Sequence, residues 1–150
     1  MFCDELVSAL DVSVQSKILN PLMQLKNELG LSNLFIAHDL LVVRHTSGRV
    51  AVMYLGVVVE EGIADEIFAN LVHPYVEIIW SAIPVPDPTL CGKRNCIITV
   101  ADLPSLLHPA KGCLFCYPLP IGRTELQKLK PQFIETSPRH QILCPVRVFQ

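Results

Sequence analysis

Charge is scarce in this chain. Only 17% of its residues are charged, against about 25% in an average globular protein. The 12 Lys and Arg nearly balance the 14 Asp and Glu, leaving a formal net charge of −2. That leaves no basic field to hold a polyphosphate backbone and makes nucleic acid a poor default partner. Long apolar runs are missing too. A membrane span needs roughly 18 consecutive apolar residues, and the densest stretch here, residues 50–59, is interrupted by Gly56 and reads as two strands. The N-terminus has Asp4 and Glu5 where a secretory signal carries Lys or Arg, which argues against export. Nothing reads G-x-x-x-x-G-K-[ST], so no loop in the sequence is built to cradle phosphates with backbone amides.

What is abundant is apolar. At 51% that share slightly exceeds the usual range of about 45–50%, and the excess implies surface meant for a partner or for the rest of a larger domain. A chain of 150 residues is long enough for one domain with a real core. Its six cysteines are Cys3, Cys91, Cys96, Cys113, Cys116 and Cys144. Without a secretory signal they read as reduced thiols or metal ligands before disulfides.

The organising stretch is the first forty residues. Met1-Phe2-Cys3 resembles the tail of an apolar strand but is too short to make one alone. Asp4 and Glu5 follow, then Ser8-Ala9-Leu10-Asp11. Asp11 or Ser13 is placed to cap a helix. Ile18, Leu22, Leu25 and Leu29 lie on one face of that helix, and Gly30 suits its left-handed end. Pro21 falls inside it and predicts a kink or a cost of about 3 kcal/mol. Residues 34–37 are fully apolar and read as a buried parallel strand. His38-Asp39 comes at that strand's C-terminal end, where open α/β sheets place their ligands. Two carboxylates, a polar turn, a helix, a strand and a histidine make a phosphate-chemistry layout: the carboxylates serve a metal ion and a water, and the histidine reaches a terminal phosphate.

Downstream, a short helix is expected over residues 40–46. Strands are expected over 49–55 and 57–61, joined at Gly56 and closed by Gly62, with solvent or more sheet as the outer partner. Small helices start near Asp65 and at Pro74, the latter well placed at a first helical position. Pro84, Pro86 and Pro88 mark a linker or subdomain edge, and the rest is loop-like with weak helical propensity at 124–130.

These residues carry a family resemblance. The stretch Asp4-Glu5-Leu6-Val7-Ser8-Ala9-Leu10-Asp11-Val12-Ser13 resembles the Walker B end and D-loop of ABC transporter ATPases, and His38-Asp39 resembles their switch histidine. Tyr54-Leu55-Gly56, Glu60-Glu61-Gly62, His73-Pro74-Tyr75, Ser81-Ala82-Ile83-Pro84 and Leu103-Pro104-Ser105 resemble the oligopeptide/dipeptide importer branch. The resemblance implies an α/β fold: residues 1–83 as the C-terminal part of a P-loop NTPase domain of the ABC type, and residues 84–150 as the branch's loop-rich C-terminal extension. It also implies roles. Asp4 holds Mg²⁺ through water, Glu5 is the general base, His38 contacts the γ-phosphate of ATP, and Ser8 and Asp11 reach the opposite subunit of a nucleotide-sandwich dimer. The implied partners are a second ATPase subunit and membrane permeases, with the protein peripheral on the cytoplasmic face. The resemblance departs at Leu6, where the family has proline, and at Pro21. The family's P-loop, Q-loop and signature motif lie upstream of the matched region, so the chain by itself is expected to be inactive.

The branch's extension commonly carries four cysteines suited to a metal or iron–sulfur cluster. Cys113 and Cys144 match its first and last places, but Leu119 and Gln127 stand at the middle two. A second set, Cys113-x-x-Cys116 with His140-x-x-x-Cys144, has spacing that suits a tetrahedral zinc, against the alternative of leftover thiols. Two other readings of the whole chain stay open at this stage: a non-catalytic interaction module, and a decayed gene fragment.

Overall fold

The computed structural model describes residues 1–8, 10–83 and 131–143. The chain divides into two compact units, residues 1–48 and residues 49–150.

The first unit is a strand–helix–strand element. Strand β1 (Phe2–Asp4) pairs in parallel with β2 (Leu34–Ile36), Cys3 opposite Phe35 and Asp4 opposite Ile36. Parallel strands need a crossover of a dozen residues or more, and helix α1 (Val12–Leu29) supplies it. Three residues therefore do form a strand. The partner provides the missing cooperation: Leu34 N–H donates to the Met1 carbonyl at 2.8 Å, and Glu5 N–H to that of Ile36 at 2.9 Å.

Helix α1 starts at Asp11, which occupies the cap position without a side-chain cap bond. It runs through Pro21 without a break and ends at Gly30, whose φ of 61° is left-handed. The amides of Gly30 and Leu31 both turn back to the Lys26 carbonyl, as this type of helix end requires. The buried face differs from the expected one. Leu19 is buried and Ile18 half-buried, whereas Leu25 and Leu29 are exposed. The small core is Val7, Leu19 and Val42, with Leu10, Ile18 and Phe35 against it. Leu34 is 61% exposed and Ile36 45%, so β2 is not a buried strand within this unit. The face of this two-stranded sheet that carries Phe2, Leu34 and Ile36 is open, whereas on the other face Cys3 is buried and Phe35 packs against the core. Helix α2 (Leu40–Thr46) follows, capped by Asp39, whose carboxylate accepts from the Leu41 and Val42 amides.

The second unit is an antiparallel sheet in the order β3–β4–β6–β5. Strand β3 (Arg49–Tyr54) alternates strictly, with Val50, Val52 and Tyr54 inward. It turns into β4 (Val57–Ile63) at Leu55-Gly56, both with positive φ (49° and 79°), the combination whose twist matches a two-residue hairpin. Gly62 does not close β4. The strand continues to Ile63 because Gly62 pairs with Val50 and faces His140, which lies 3.2 Å from where a Cβ would stand. The outer partner of the hairpin is more sheet: β6 (His140–Ile142) pairs with β4, and β5 (Ile134–Ser137) with β6. This second hairpin was not anticipated. Among the described residues the unit also contains helices α3 (Ala64–Ala69) and α4 (Pro74–Ser81). Tyr75 packs on Tyr54 at 4.6 Å between ring centroids, and Trp80 on Phe68 at 4.9 Å.

Candidate functional site

The site of the first unit forms where both parallel strands end. Asp4 is the last residue of β1 and Glu5 leaves it, while Ala37, His38 and Asp39 leave β2. The register places these ends side by side. A pocket of about 150 Å³ opens there, lined by Glu5, Val7, Ser8, Gln15, Ala37, His38 and Asp39. The Glu5 carboxylate stands 3.7 Å from His38 Nδ1, and both side chains are largely exposed, at 60% and 67%. Exposure keeps such a pair weak as a stabilising contact and leaves both groups free to meet a ligand.

Glu5 adopts φ 44°, a left-handed conformation that costs a residue with a Cβ about 1–2 kcal/mol. The following turn holds it there. Ser8 donates to the Glu5 carbonyl from both its amide (3.1 Å) and its hydroxyl (3.0 Å). Two residues on, the Val7 carbonyl accepts from the Leu10 amide at 3.2 Å and from Gln15 Nε2 at 3.1 Å.

Of the residues singled out in the sequence, Glu5, Ser8 and His38 meet in this pocket. Asp4 lies beside it on β1, with its side chain exposed, and Asp11 begins α1 outside the lining. Asp39 lines the pocket while its carboxylate caps α2. Gln15 is the residue that pattern reading passed over, because on the helix it scores as one more polar position.

The metal candidates divide. Cys113, Cys116 and Cys144 lie outside the described residues. His140 sits in β6, only 2% exposed, with Nε2 2.7 Å from a carboxylate oxygen of the fully buried Glu60. Glu60 also accepts from the His73 amide at 3.0 Å and the Val72 amide at 3.4 Å. In this arrangement the His140 ring serves as partner to a buried carboxylate. Among the described residues, no group of three or more His, Cys, Asp and Glu side chains is placed to hold a metal ion. None of the described helices is long and apolar enough to cross a membrane.

Known proteins share this sequence over most of its length. The chain is 48% identical over 144 residues to the oligopeptide transport ATP-binding protein OppF of Escherichia coli (strain K12), covering 96% of the chain and 43% of that protein. It is 43% identical over 141 residues to the putative oligopeptide transport ATP-binding protein YkfD of Bacillus subtilis, covering 94% of the chain and 43% of that protein. It is 50% identical over 112 residues to the dipeptide transport ATP-binding protein DppF of Haemophilus influenzae, covering 75% and 34%. The chain thus spans less than half the length of these relatives. No protein-family model matches it. On these similarities, the chain belongs to the oligopeptide/dipeptide-type ABC transporter ATP-binding subunits and corresponds to their C-terminal portion.

Proposed function

We propose that the chain supplies the hydrolytic side of an ATP site in a peptide-importing ABC transporter, and that it works as part of a complete P-loop NTPase domain. The carrying observation is the convergence of Glu5 and His38, 3.7 Å apart, from two adjacent parallel strand ends onto one pocket. Phosphoryl transfer asks the protein mainly for positioning and charge, and these residues suit that task. Glu5 accepts the proton of the attacking water. His38 contacts the terminal phosphate and registers its loss. Ser8 and Asp11 face the second subunit across the nucleotide.

The donor set also fits magnesium. Mg²⁺ takes one or two carboxylates together with phosphate oxygens and waters. Asp4 offers a hard oxygen ligand at the strand end and would hold the ion through water, which leaves Glu5 for the attacking water. When bound with the nucleotide, the ion neutralises charge on the phosphates.

The remaining contacts belong to the larger part of the relatives that this chain does not span. Without a phosphate cradle, a general base has no positioned substrate, so the 150-residue chain alone does not turn over ATP in this reading. The complete subunit would act with a second ATP-binding subunit and with permeases, docked on the cytoplasmic face of the membrane, importing peptides.

The test is a pair of magnesium-dependent ATPase assays. One uses the purified chain. The other uses a hybrid in which the unmatched N-terminal portion of the Escherichia coli relative is joined to it. The expected result is no turnover from the chain and measurable turnover from the hybrid. Turnover by the chain alone would overturn its dependence on the missing portion, and a folded, ATP-binding hybrid without turnover would overturn the catalytic assignment.

A further inference from the structure

Gln15 closes the first turn of α1, and its side-chain amide reaches back over the turn that follows β1. Nε2 is 3.1 Å from the Val7 carbonyl and 3.1 Å from the Leu10 carbonyl. Both partners are acceptors only, which fixes the amide with its NH₂ toward them and uses both its protons. The Val7 carbonyl thereby has both lone pairs engaged, by Gln15 and by the Leu10 amide. The contact is half-buried, where competition from water is reduced. At its other end the same turn is tied by Ser8 to the Glu5 carbonyl. Glu5, at the start of this doubly tied turn, has φ 44°. A strained backbone persists only where its surroundings over-determine it, and Gln15 is the one side chain from outside the turn that the described contacts show bonding to its carbonyls.

We infer that Gln15 is a positioning residue for the ATP-hydrolysing site: it clamps the Val7–Leu10 turn and so sets the placement of Glu5 against His38 and of Ser8 in the pocket. The inference rests on the proposed reading of Glu5 as general base. An unbranched side chain of this length with two donors is what the position demands. Met has the same length and no donor, whereas Lys restores N–H donors.

The test uses the full chain in solution by NMR. The distance of 3.7 Å between the Glu5 carboxylate and His38 Nδ1 brings side-chain protons of the two residues within range of a mutual Overhauser effect. That effect is expected in the parent chain, lost in Gln15→Met, and recovered in Gln15→Lys. Exchange of the Leu10 amide should accelerate about tenfold in Gln15→Met, the effect of losing two half-buried hydrogen bonds of modest net strength. Gln24→Met, which removes an exposed bond to Glu28 on the same helix, should change neither signal. An Overhauser effect that survives in Gln15→Met would overturn the inference alone. Its absence in the parent chain would remove the Glu5–His38 pairing, and with it both the proposed function and this inference.

Discussion

Glu60 shows how much a single side chain organises in the second unit. Its carboxylate is fully buried and accepts from the backbone of the segment leading into α4 and from His140 of β6, so it ties together parts of the chain eighty residues apart. Removing one member of a buried, hydrogen-bonded set strands the others, and such losses cost about 3–5 kcal/mol. Glu60→Ala should therefore lower unfolding stability by about that amount, read from the denaturant midpoint of the chain. A loss indistinguishable from that of Glu61→Ala, whose carboxylate meets Arg49 at an exposed position, would contradict this account. Residue identity alone did not announce the pair. Glu60 and Glu61 read alike in sequence, and only alternation along β4, which puts Glu60 and Gly62 on one face, distinguishes them. His140 could be noticed for its spacing to Cys144, yet its partner was hidden because the pairing of β6 with β4 is non-local. The places of Glu5 and His38 could be read more locally: His38 follows an apolar run read as a strand, and Glu5 follows an apolar remnant that becomes one only by pairing with it.

At the scale of elements, local chemistry and tertiary context part company most clearly in α1. Asp11 or Ser13 as the cap, the helical spacing and Gly30 predicted its limits, and the helix begins after Asp11 and ends at Gly30. Its buried face did not follow from spacing. Leu25 and Leu29 stay exposed because, within the unit, only the N-terminal half of the helix meets the core of Val7 and Val42. Pro21 is absorbed without ending the helix, since it lies on an exposed side where only the Lys17 carbonyl loses its donor. Pro21→Ala restores that hydrogen bond and removes the ring's clash, and should raise the stability of the chain by about 1–3 kcal/mol. Circular dichroism during urea unfolding checks this, and an unchanged or lowered midpoint would contradict it. The hairpin Leu55-Gly56 was readable from its glycine, whereas the β5–β6 hairpin was not. Its turn runs through Pro138 and Arg139, and Arg139 takes φ 67° without the glycine that usually advertises such a position.

For the molecule as a whole, the exposed apolar residues of the first unit and the 43% coverage of the relatives point the same way. Phe2, Leu34 and Ile36 lie on a two-stranded parallel sheet with more than two-fifths of their surface open. Parallel sheets are ordinarily covered on both faces. In the proposed reading the remainder of the subunit provides that cover together with the phosphate-binding loop, and the pocket of Glu5, Ser8 and His38 becomes one wall of a complete site. The apolar excess in the composition carried this message from the start; what fills the other side is not written in these residues. The most direct measurement of the central claim is single-site: Glu5→Gln in the hybrid ATPase, assayed for nucleotide binding and for turnover. Gln keeps the size of the side chain but cannot take a proton from water. The account predicts ATP binding like that of the parent hybrid, with turnover reduced by a factor of about 100 or more. Turnover within about twofold of the parent, far smaller than the loss of a general base, would contradict it.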